Sequence, residues 1–563
     1  MRFRNLCLLA SASFGAFLFQ AGLTLSGALA QSSAALSGTV SSTEEGNMEG
    51  VIVSAKKDGS NITVSVVSDD KGNFSFPADR LGPGRYTMSI RASGYSLAGP
   101  KEATVNAGQT AKADIRLGRV RGRDILPMLS NAEWLNSLPG SDQQKQFMTN
   151  CVGCHTVKRI LTNPHTPEEY QQVFRRMGTY SPGSTPARPQ PLLPGPRGER
   201  PPIGAAEIGP AANYLASVTL GNQEGIEYNF KLQPRPTGRA TKVIMTEYDL
   251  PRKEAQPHDV IVDRDGQVWY SDFANQFVGV MDPKTGVATD IPIPVLKSEQ
   301  PKGGLDVEFD TRQQNVWLSM MYQAGIAKID RKTHQVTAYP FPKEWQSPST
   351  QASMVSPQHS DVDGKVWTNN QEMHAHYRLD VATGKFEDRG EAKDARGTKI
   401  DAYGMPTDLQ NNVYLLNFAG TSIGIRDAKT NETMIYITPT RGSKPRRGRV
   451  DAQNRLWFAE YGANAIGFFD PKTAEIKEYR LPSKWGVPYD VIPNKDASEI
   501  WTGSMVNDLV ARLDTKTGEV TEYLLPRTNT NIRRVFVEET GTRPALWIGS
   551  NHGASIVKVE PLD

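Results

Sequence analysis

The chain has 563 residues, of which 22% are charged, and a formal net charge of +3 at pH 7. This length predicts several domains, since one domain takes roughly 150 residues. The net charge is too small to create the basic field that attracts nucleic acid or an anionic membrane surface, so nucleic acid is excluded as a partner.

The first 30 residues have the pattern of an export signal. Arg2 and Arg4 precede the apolar run LCLLASASFGAFLF, and residues 28–30, ALA, form a small-x-small site for signal peptidase. The rival interpretation is an uncleaved anchor, which needs about 20 uninterrupted apolar residues, and polar and small residues interrupt this run. We therefore expect residues 1–30 to be a signal peptide, the protein to be periplasmic, and no stable membrane span to remain after cleavage.

Residues 34–118 alternate apolar and polar side chains between glycine-bounded turns, as in GVIVSA and GRYTMSIRASGY. A period of two between turn signals predicts a small β-sandwich. The segments Gly38-Thr39-Val40, DKGNF at residues 70–74 and GRY at residues 84–86 resemble the carboxypeptidase regulatory-like, transthyretin-type domain. That family is usually an accessory or adhesive module, so the resemblance implies no chemistry here.

Residues 123–220 space their apolar side chains by three and four, as in NAEWLNSL and TPEEYQQVFRRM, which predicts helices. A cap, a proline and an acidic first turn at residues 166–169, TPEE, predict the start of one of them. The segment 181–202 is rich in Pro and Arg and is expected to be a loop. Residues 221–241 are expected to form an extended linker.

The sequence NCVGCH at residues 150–155 contains both cysteines that remain after removal of the signal. A disulfide between them would close a tiny loop and constrain little of the unfolded chain. Zinc would lack a nearby fourth ligand, and a redox C-x-x-C would more naturally follow a strand in a βαβ unit. C-x-x-C-H is instead the haem-attachment signature, in which Cys151 and Cys154 bind the haem vinyl groups and His155 ligates the iron. The motif therefore predicts covalently bound haem c.

One predicted helix ends in this motif, and a final helix contains Tyr214. This arrangement resembles a small class of cytochrome c. Electron-transferring domains of that kind commonly use methionine as the sixth iron ligand, which makes Met177 the first candidate. The alternative for Met177 is a core methionine on an amphipathic helix. His165 is the second candidate ligand, and an open sixth site, which would turn the haem into a reaction centre, is the third possibility.

Residues 242–563 repeat at about 40 to 48 residues, a period typical of propeller blades. Each repeat has four short predicted strands, and an aromatic residue marks the second one. These aromatic residues are Trp269, Trp317, Trp367, Tyr414, Trp457, Trp501 and Trp547, which predict seven blades. The stretch KVIMTEYDLP at residues 242–251 matches the fourth-strand pattern GEVTEYLLP. It is therefore expected to complete the last blade and close the ring, so that no sheet edge is left free.

The motif WFAE at residues 457–460 and NAIG at residues 464–467 resemble the virginiamycin B (streptogramin B) lyase family of seven-bladed propellers. The resemblance implies a magnesium-dependent elimination that opens an ester-linked ring, with a histidine as base or acid and an acidic residue nearby. By motif position, Glu460 is the acidic residue and His258, in PHD, is the histidine. They fall in the fifth and first blades.

The repeat also predicts a polar ring at one mouth of the central channel. The first and second strands of a blade are antiparallel. The residue just before the first strand and the residue just after the second strand therefore lie at the same end of the propeller. A polar and aromatic ring of this kind favours a site for a small molecule or an anion; the alternative is a set of ordinary solvated loop ends. The predicted ring contains Asp272, Asn370, Tyr403, Asn417, Arg446, Tyr489 and Arg533.

Five arginines lie at or next to this ring. We expect them to form either an anion funnel or a solvated rim. They are Arg446, Arg447, Arg449, Arg533 and Arg534.

The sequence as a whole predicts a multidomain protein with a transthyretin-like β-sandwich, an α-helical cytochrome c domain and an all-β seven-bladed propeller. The first functional hypothesis is a periplasmic haem protein that transfers electrons, with a propeller that binds a small-molecule substrate or a redox partner protein. The second is a lyase-like enzyme with Mg²⁺ in the propeller and an accessory haem. The third is a non-catalytic binding module. Haem favours the first, because an elimination needs no electrons.

Overall fold

The computed structural model describes residues 34–195, 202–220, 229–394, 396–541 and 543–563. The predicted signal peptide lies outside the described residues, as do parts of the predicted loop and linker. Within the described ranges, no helix is long and apolar enough to cross a membrane.

The N-terminal region is a β-sandwich, and its alternating side chains explain why. In the strand Asn73–Pro77, Phe74 and Phe76 are buried while their neighbours Asn73 and Ser75 are exposed, as expected for a strand with one face on a core. One sheet is built around the strand Ala34–Ser42, and the other contains Ile62–Val67. The strands are Ala34–Ser42, Gly46–Asn47, Ile52–Lys57, Ile62–Val67, Asn73–Pro77, Gly84–Arg91, Tyr95–Gly99, Glu102–Val105, Ala111–Lys112 and Ile115–Arg119.

A small helical region follows the sandwich. The helix start predicted at Thr166 is confirmed: its side chain accepts from the backbone N–H of Glu169, and the Glu169 carboxylate accepts from the Thr166 N–H. The helices of this region are few and short, so they do not by themselves define a haem-protein fold. The α-helices are Asn131–Ser137, Asp142–Lys145, Met148–Cys151, Val157–Leu161, Pro167–Met177 and Ile208–Val218, with 3₁₀ turns at Gly122–Met128 and Ala205–Glu207.

The rest of the described chain is a β-propeller of four-stranded antiparallel blades, and its predicted aromatic residues all lie buried in second strands. Blades 1 to 3 consist of Pro257–Val262, Val268–Asp272, Phe277–Met281 and Ala288–Pro292; Val307–Phe309, Asn315–Ser319, Gly325–Asp330 and Val336–Pro340; and Val355–Ser356, Lys365–Asn370, Ala375–Asp380 and Phe386–Glu391. Blades 4 to 6 consist of Ala402–Gly404, Val413–Asn417, Ser422–Arg426 and Thr433–Ile437; Pro445–Val450, Leu456–Glu460, Ala465–Asp470 and Glu475–Arg480; and Pro488–Pro493, Glu499–Ser504, Leu509–Asp514 and Val520–Leu524. Blade 7 consists of Ile532–Glu538, Ala545–Ser550, Ser555–Pro561 and Val243–Asp249.

Blade 7 closes the ring as the repeat predicts. Its outer strand Val243–Asp249 pairs with the last strand, Ser555–Pro561, and its first strand lies against the first strand of blade 1. The other edge of Val243–Asp249 is not left open, because it pairs antiparallel with the sandwich strand Ile62–Val67. Blade 7 and one sandwich sheet therefore form a single eight-stranded sheet. Such pairing covers an edge that would otherwise invite association with other chains.

A repeated aspartate turn joins the third and fourth strands of several blades. The Asp514 carboxylate accepts from the backbone N–H groups of Lys516 and Thr517, both at 2.9 Å. Gly518 follows with φ of +74°, a left-handed conformation that glycine adopts without strain. The hydrogen bond from the Thr517 backbone holds the pKa of Asp514 below its ordinary value. These local bonds set the hairpin, so the blade register is encoded within each repeat.

Candidate functional site

The C-x-x-C-H motif lies at the end of a short helix. Cys151 is the last residue of Met148–Cys151, and the chain then turns through Val152 and Gly153 to Cys154. Both cysteines are free. Burial raises the pKa of Cys151 to about 12 and also raises that of Cys154. Both side chains are therefore neutral thiols near neutral pH.

A cavity of about 440 Å³ opens beside the motif. Cys151, Cys154 and His155 line it, and so do both candidate sixth ligands, Met177 and His165. The volume falls within the ~300–1,000 Å³ that is usual for small-molecule and cofactor sites. Much of the remaining wall is apolar or aromatic and is formed by Ile160, Tyr170, Val173, Phe174, Pro186, Pro189 and Leu215. The five residues that the sequence singles out for haem thus border one cavity.

His155 has the protonation state that iron ligation needs. Its Nδ1 donates to the backbone oxygen of Thr156 at 3.3 Å. Burial lowers the pKa of His155 below its ordinary value, so the ring is neutral near pH 7. With the proton on Nδ1, Nε2 keeps a free lone pair, which is the usual arrangement for a metal-binding histidine.

The donor set of this cavity fits a covalently held haem. Covalent attachment of haem uses two thiols. Axial ligation of its iron uses a neutral imidazole together with a thioether or a second imidazole. Arg159 and Arg176 also line the cavity, and guanidinium groups bind carboxylates such as those of haem. In the part of the chain that the structure describes, no group of three or more His, Cys, Asp or Glu side chains has a metal-binding arrangement.

Four of the predicted mouth residues form a compact cluster. The Arg446 guanidinium lies 3.8 Å from the ring centroid of Tyr489 and 4.7 Å from that of Tyr403. The two tyrosine hydroxyls are hydrogen-bonded to each other. The Arg533 guanidinium lies 5.2 Å from the Tyr489 ring centroid on the same cluster. Each of the four is the second residue of the first strand of its blade, so this part of the predicted ring does converge.

The other three mouth residues bond to loop segments instead. The Asp272 carboxylate accepts from the backbone N–H of Ala274 at 3.1 Å and pairs with Arg252 at 2.8 Å. Asn370 donates to the carbonyl oxygen of Trp345 at 3.1 Å. Asn417 accepts from the backbone N–H of Asp401 at 3.3 Å. These three residues, each the last residue of a second strand, therefore bind loop segments and do not join the cluster.

His258 belongs to the cluster and is fully buried. Its Nδ1 donates to Asp259 at 2.6 Å, and its Nε2 accepts from the Tyr489 hydroxyl at 3.1 Å. Burial lowers the pKa of His258 to about 3, although Asp259 opposes the change, so the ring is neutral. Its environment is a hydrogen-bonded chain between Tyr489 and Asp259.

Glu460 lies in a different environment. Its side chain is 0% exposed, and no N–H group or hydroxyl of the described residues donates to either carboxyl oxygen, whose polar neighbour is the Glu478 carboxyl group. Burial, with Glu478 as the second cause, raises the pKa of Glu460 to about 8. No hydrogen bond or ion pair within the described ranges joins Glu460 to His258. The two residues that the lyase resemblance pairs are thus not linked to each other by any hydrogen bond or ion pair among the described residues.

Two arginines next to the mouth form neither the anion funnel nor the solvated rim that the sequence suggested. Arg447 and Arg534 are each 1% exposed. Arg447 binds both carboxyl oxygens of Asp259, at 2.9 and 2.8 Å, and also pairs with Asp306. Arg534 pairs with Glu308 at 2.7 Å. These contacts form an internal ion network, and paired charges of this kind are not available to a ligand.

Sequence reasoning missed the acidic half of this network, although the repeat contained a signal. In each blade, one mouth position lies at the first strand. The residue that follows this position is acidic in three blades and is arginine in two others. The acidic residues are Asp259, Asp306 and Asp490, and the arginines are Arg447 and Arg534. Equivalent positions in a propeller lie at one level of the channel, so opposite charges there predict internal pairs.

The turn of the haem motif is bound directly to the propeller mouth. Asn531 donates to the carbonyl oxygen of Val152 at 3.0 Å. Arg533 donates to the carbonyl oxygen of Gly153 at 2.9 Å, and His552 Nε2 to the same oxygen at 3.3 Å. The last carbonyls of a helix lack partners within the helix, and here the propeller supplies them. Asn531 and His552 were not predicted, because nothing in their local pattern indicates a contact with residue 153.

Comparison with known proteins identifies the first region. Residues 35–118 match the family model of the carboxypeptidase regulatory-like domain, in agreement with the resemblance seen in the sequence. A search of curated proteins finds no match to the chain.

Solved structures similar to this chain include two lyases. A streptogramin B lyase has 19% identity and a TM-score of 0.49, over 57% of this chain and 99% of that chain. The virginiamycin B lyase from Staphylococcus aureus has 16% identity and a TM-score of 0.48, over 56% of this chain and 99% of that chain. At these identities and TM-scores the similarity carries no inference about activity.

Proposed function

We propose that the protein is a periplasmic c-type haem protein that transfers single electrons, with a cytochrome c-like helical region mounted on the propeller. The observation that carries the proposal is the cavity that both motif cysteines, His155, Met177 and His165 border. Export through residues 1–30 is part of the proposal. The electron partner is a small molecule or a redox protein.

The residues of the cavity have distinct roles in this proposal. Cys151 and Cys154 would hold the haem by thioether bonds, and His155 would ligate the iron through Nε2. Met177 is the first candidate for the sixth position. A bound haem supplies one-electron redox chemistry. Arg159, on the cavity wall, would bind a haem carboxylate.

The propeller would act as the support of the haem motif. Hydrogen bonds from Asn531 and Arg533 fix the carbonyl groups between the two cysteines. Residues held by such surrounding contacts keep a functional group in one geometry. A fixed attachment turn favours electron transfer, because less rearrangement accompanies the change in charge.

The lyase alternative has no comparable support in the contacts of its two residues. His258 is fully buried and is bonded on both ring nitrogens. Glu460 is buried beside Glu478. Neither side chain is accessible to an ester substrate, so we do not develop this alternative, or a magnesium site for it, further.

The proposal is tested with protein expressed in a host that has a working haem-ligation system. The wild type should show the reduced-minus-oxidised visible spectrum of haem c. The Cys151→Ala/Cys154→Ala double variant should lose the covalent haem while it keeps the melting temperature of the propeller, since both residues lie in the helical region. Colourless wild-type protein from that host would overturn the proposal.

A further inference from the structure

A second and larger cleft lies between the helical region and the propeller. Its volume is about 950 Å³. Clefts at domain interfaces are preferred positions for ligands, and this volume is near the upper end of the usual range of ~300–1,000 Å³. The Lys484–Asp142 ion pair, at 2.8 Å, and the hydrogen bond from Trp485 Nε1 to Asn136, at 2.9 Å, connect its two sides.

The propeller side of this cleft carries two positive charges that are not used internally. Arg441 and Lys444 line it, and neither forms an ion pair within the described residues, whereas the neighbouring Lys484 is paired with Asp142. Arg441 is exposed and Lys444 is half-buried. Two unpaired cations on one wall of a concave site favour a negatively charged ligand at that wall, whereas the Glu207 carboxylate lies on the helical side of the lining.

The same cleft has aromatic walls. Trp485 and Tyr461 line it from the propeller, and Phe147 from the helical region. The Tyr461 ring also contacts Phe418, with 5.3 Å between ring centroids, which holds it in place. Fixed aromatic faces bind planar rings by stacking. The lining thus combines charge for an anion with surfaces for a flat ring.

Asn150 connects this cleft to the cavity of the haem motif. It lines both spaces and immediately precedes Cys151. Its side chain donates to the carbonyl oxygen of Pro202 at 2.9 Å, so it forms a defined wall between them. A molecule that contacts Asn150 in the cleft would therefore touch the residue that precedes the first thiol of the motif.

We infer that this cleft binds a small planar aromatic anion, such as an aromatic carboxylate or sulfonate, with Arg441 and Lys444 as its charge partners. The inference deepens the proposed function, on which it rests for the role of the ligand beside the haem but not for its binding. It places the small-molecule site at the side of the channel mouth, between blades 4 to 6 and the helical region, and not in the channel itself.

The test uses full-length protein from the haem-ligating host, whether or not it contains haem, and isothermal titration calorimetry with anilinonaphthalene sulfonate as the probe. We expect one site per chain, with an affinity about tenfold lower in the Arg441→Gln/Lys444→Gln variant, since charged hydrogen bonds are lost. Lys472→Gln, an exposed lysine on blade 5 outside the cleft, is the matched control and should bind as the wild type does.

A second measurement needs no variant. Binding of the probe to the wild type should weaken as salt is added, and the uncharged analogue phenylnaphthylamine should bind at least several-fold more weakly. Equal affinity for both probes, or unchanged affinity in the double variant, would overturn the inference. Failure here leaves the haem spectrum intact, and a missing haem spectrum leaves binding measurable, so the two proposals fail separately.

Discussion

Arg533 of the propeller donates a hydrogen bond of 2.9 Å to the carbonyl oxygen of Gly153, which lies between the two cysteines of the C-x-x-C-H motif. These residues are 380 positions apart in the sequence. The same guanidinium lies over the rings of Tyr489 and Phe273 in the buried cluster of the mouth. A permanent positive charge of the propeller therefore lies at the motif of another region, and the two regions meet in one site.

Replacing Arg533 should lower the reduction potential of the proposed haem. A positive charge favours the reduced state, which carries one more electron, so Arg533→Gln should lower the potential by on the order of tens of millivolts. Arg533→Lys keeps the charge and is the matched control; its potential should remain close to that of the wild type. The measurement is a spectroscopic redox titration. An equal fall in both variants would show that loss of the hydrogen bond, and not of the charge, is responsible.

The two candidate sixth ligands can be separated by substitution. Met177→Ala should change the visible spectrum of the oxidised haem and lower its potential, because methionine ligation favours a higher potential. His165 lines the same cavity, and the control variant His165→Ala should leave both the spectrum and the potential unchanged. The opposite pattern would assign the iron to His165. Unchanged spectra in both variants, with carbon monoxide binding to the reduced wild type, would indicate an open site.

Glu460 should make the stability of the protein fall with rising pH. Its pKa is about 8 in the folded protein, against an ordinary value of 4.5, so the folded state holds its proton where the unfolded state has lost it. The contribution of Glu460 to the free energy of unfolding is complete below about pH 4.5. It is lost as the pH rises towards 8, and the free energy of unfolding falls by up to ~1.4 kcal/mol per pH unit. Glu460→Gln should remove this dependence in urea unfolding series, and Glu432→Gln, at an exposed site, should not. A Glu460→Gln curve parallel to that of the wild type would contradict the assignment.

The eight-stranded sheet should couple the sandwich to the propeller. Thr63 pairs with Lys56 on one side and with Glu247 of blade 7 on the other. Thr63→Pro removes a donor from a central strand and should cost about 3 kcal/mol or more, with a lower melting temperature for the propeller as well. Thr104→Pro, in the strand Glu102–Val105 at the far edge of the same sheet, should cost less. Calorimetry checks both; a propeller transition that stays unchanged in Thr63→Pro would show that the domains unfold independently.

Local patterns predicted the blades but not the contacts between regions. Trp269 and its equivalents lie in second strands, and Val243–Asp249 completes blade 7, because strand period and turn chemistry are encoded within each repeat. The pairing of that strand with Ile62–Val67 joins segments almost two hundred residues apart, and no periodicity indicates which edge meets which. The same limit explains the mouth: repeat position identified Arg533, but its hydrogen bond to Gly153 joins it to a region that the repeat does not include.

The central claim is that Cys151 and Cys154 hold a haem covalently, and the intact mass of the protein tests it most directly. Protein from a host with a haem-ligation system should be denatured, reduced and weighed by mass spectrometry. We expect the mature chain plus one haem, with the added mass on the peptide that contains residues 151–155, and no such addition in the Cys151→Ala/Cys154→Ala variant. A wild-type mass equal to that of the polypeptide alone would contradict the account.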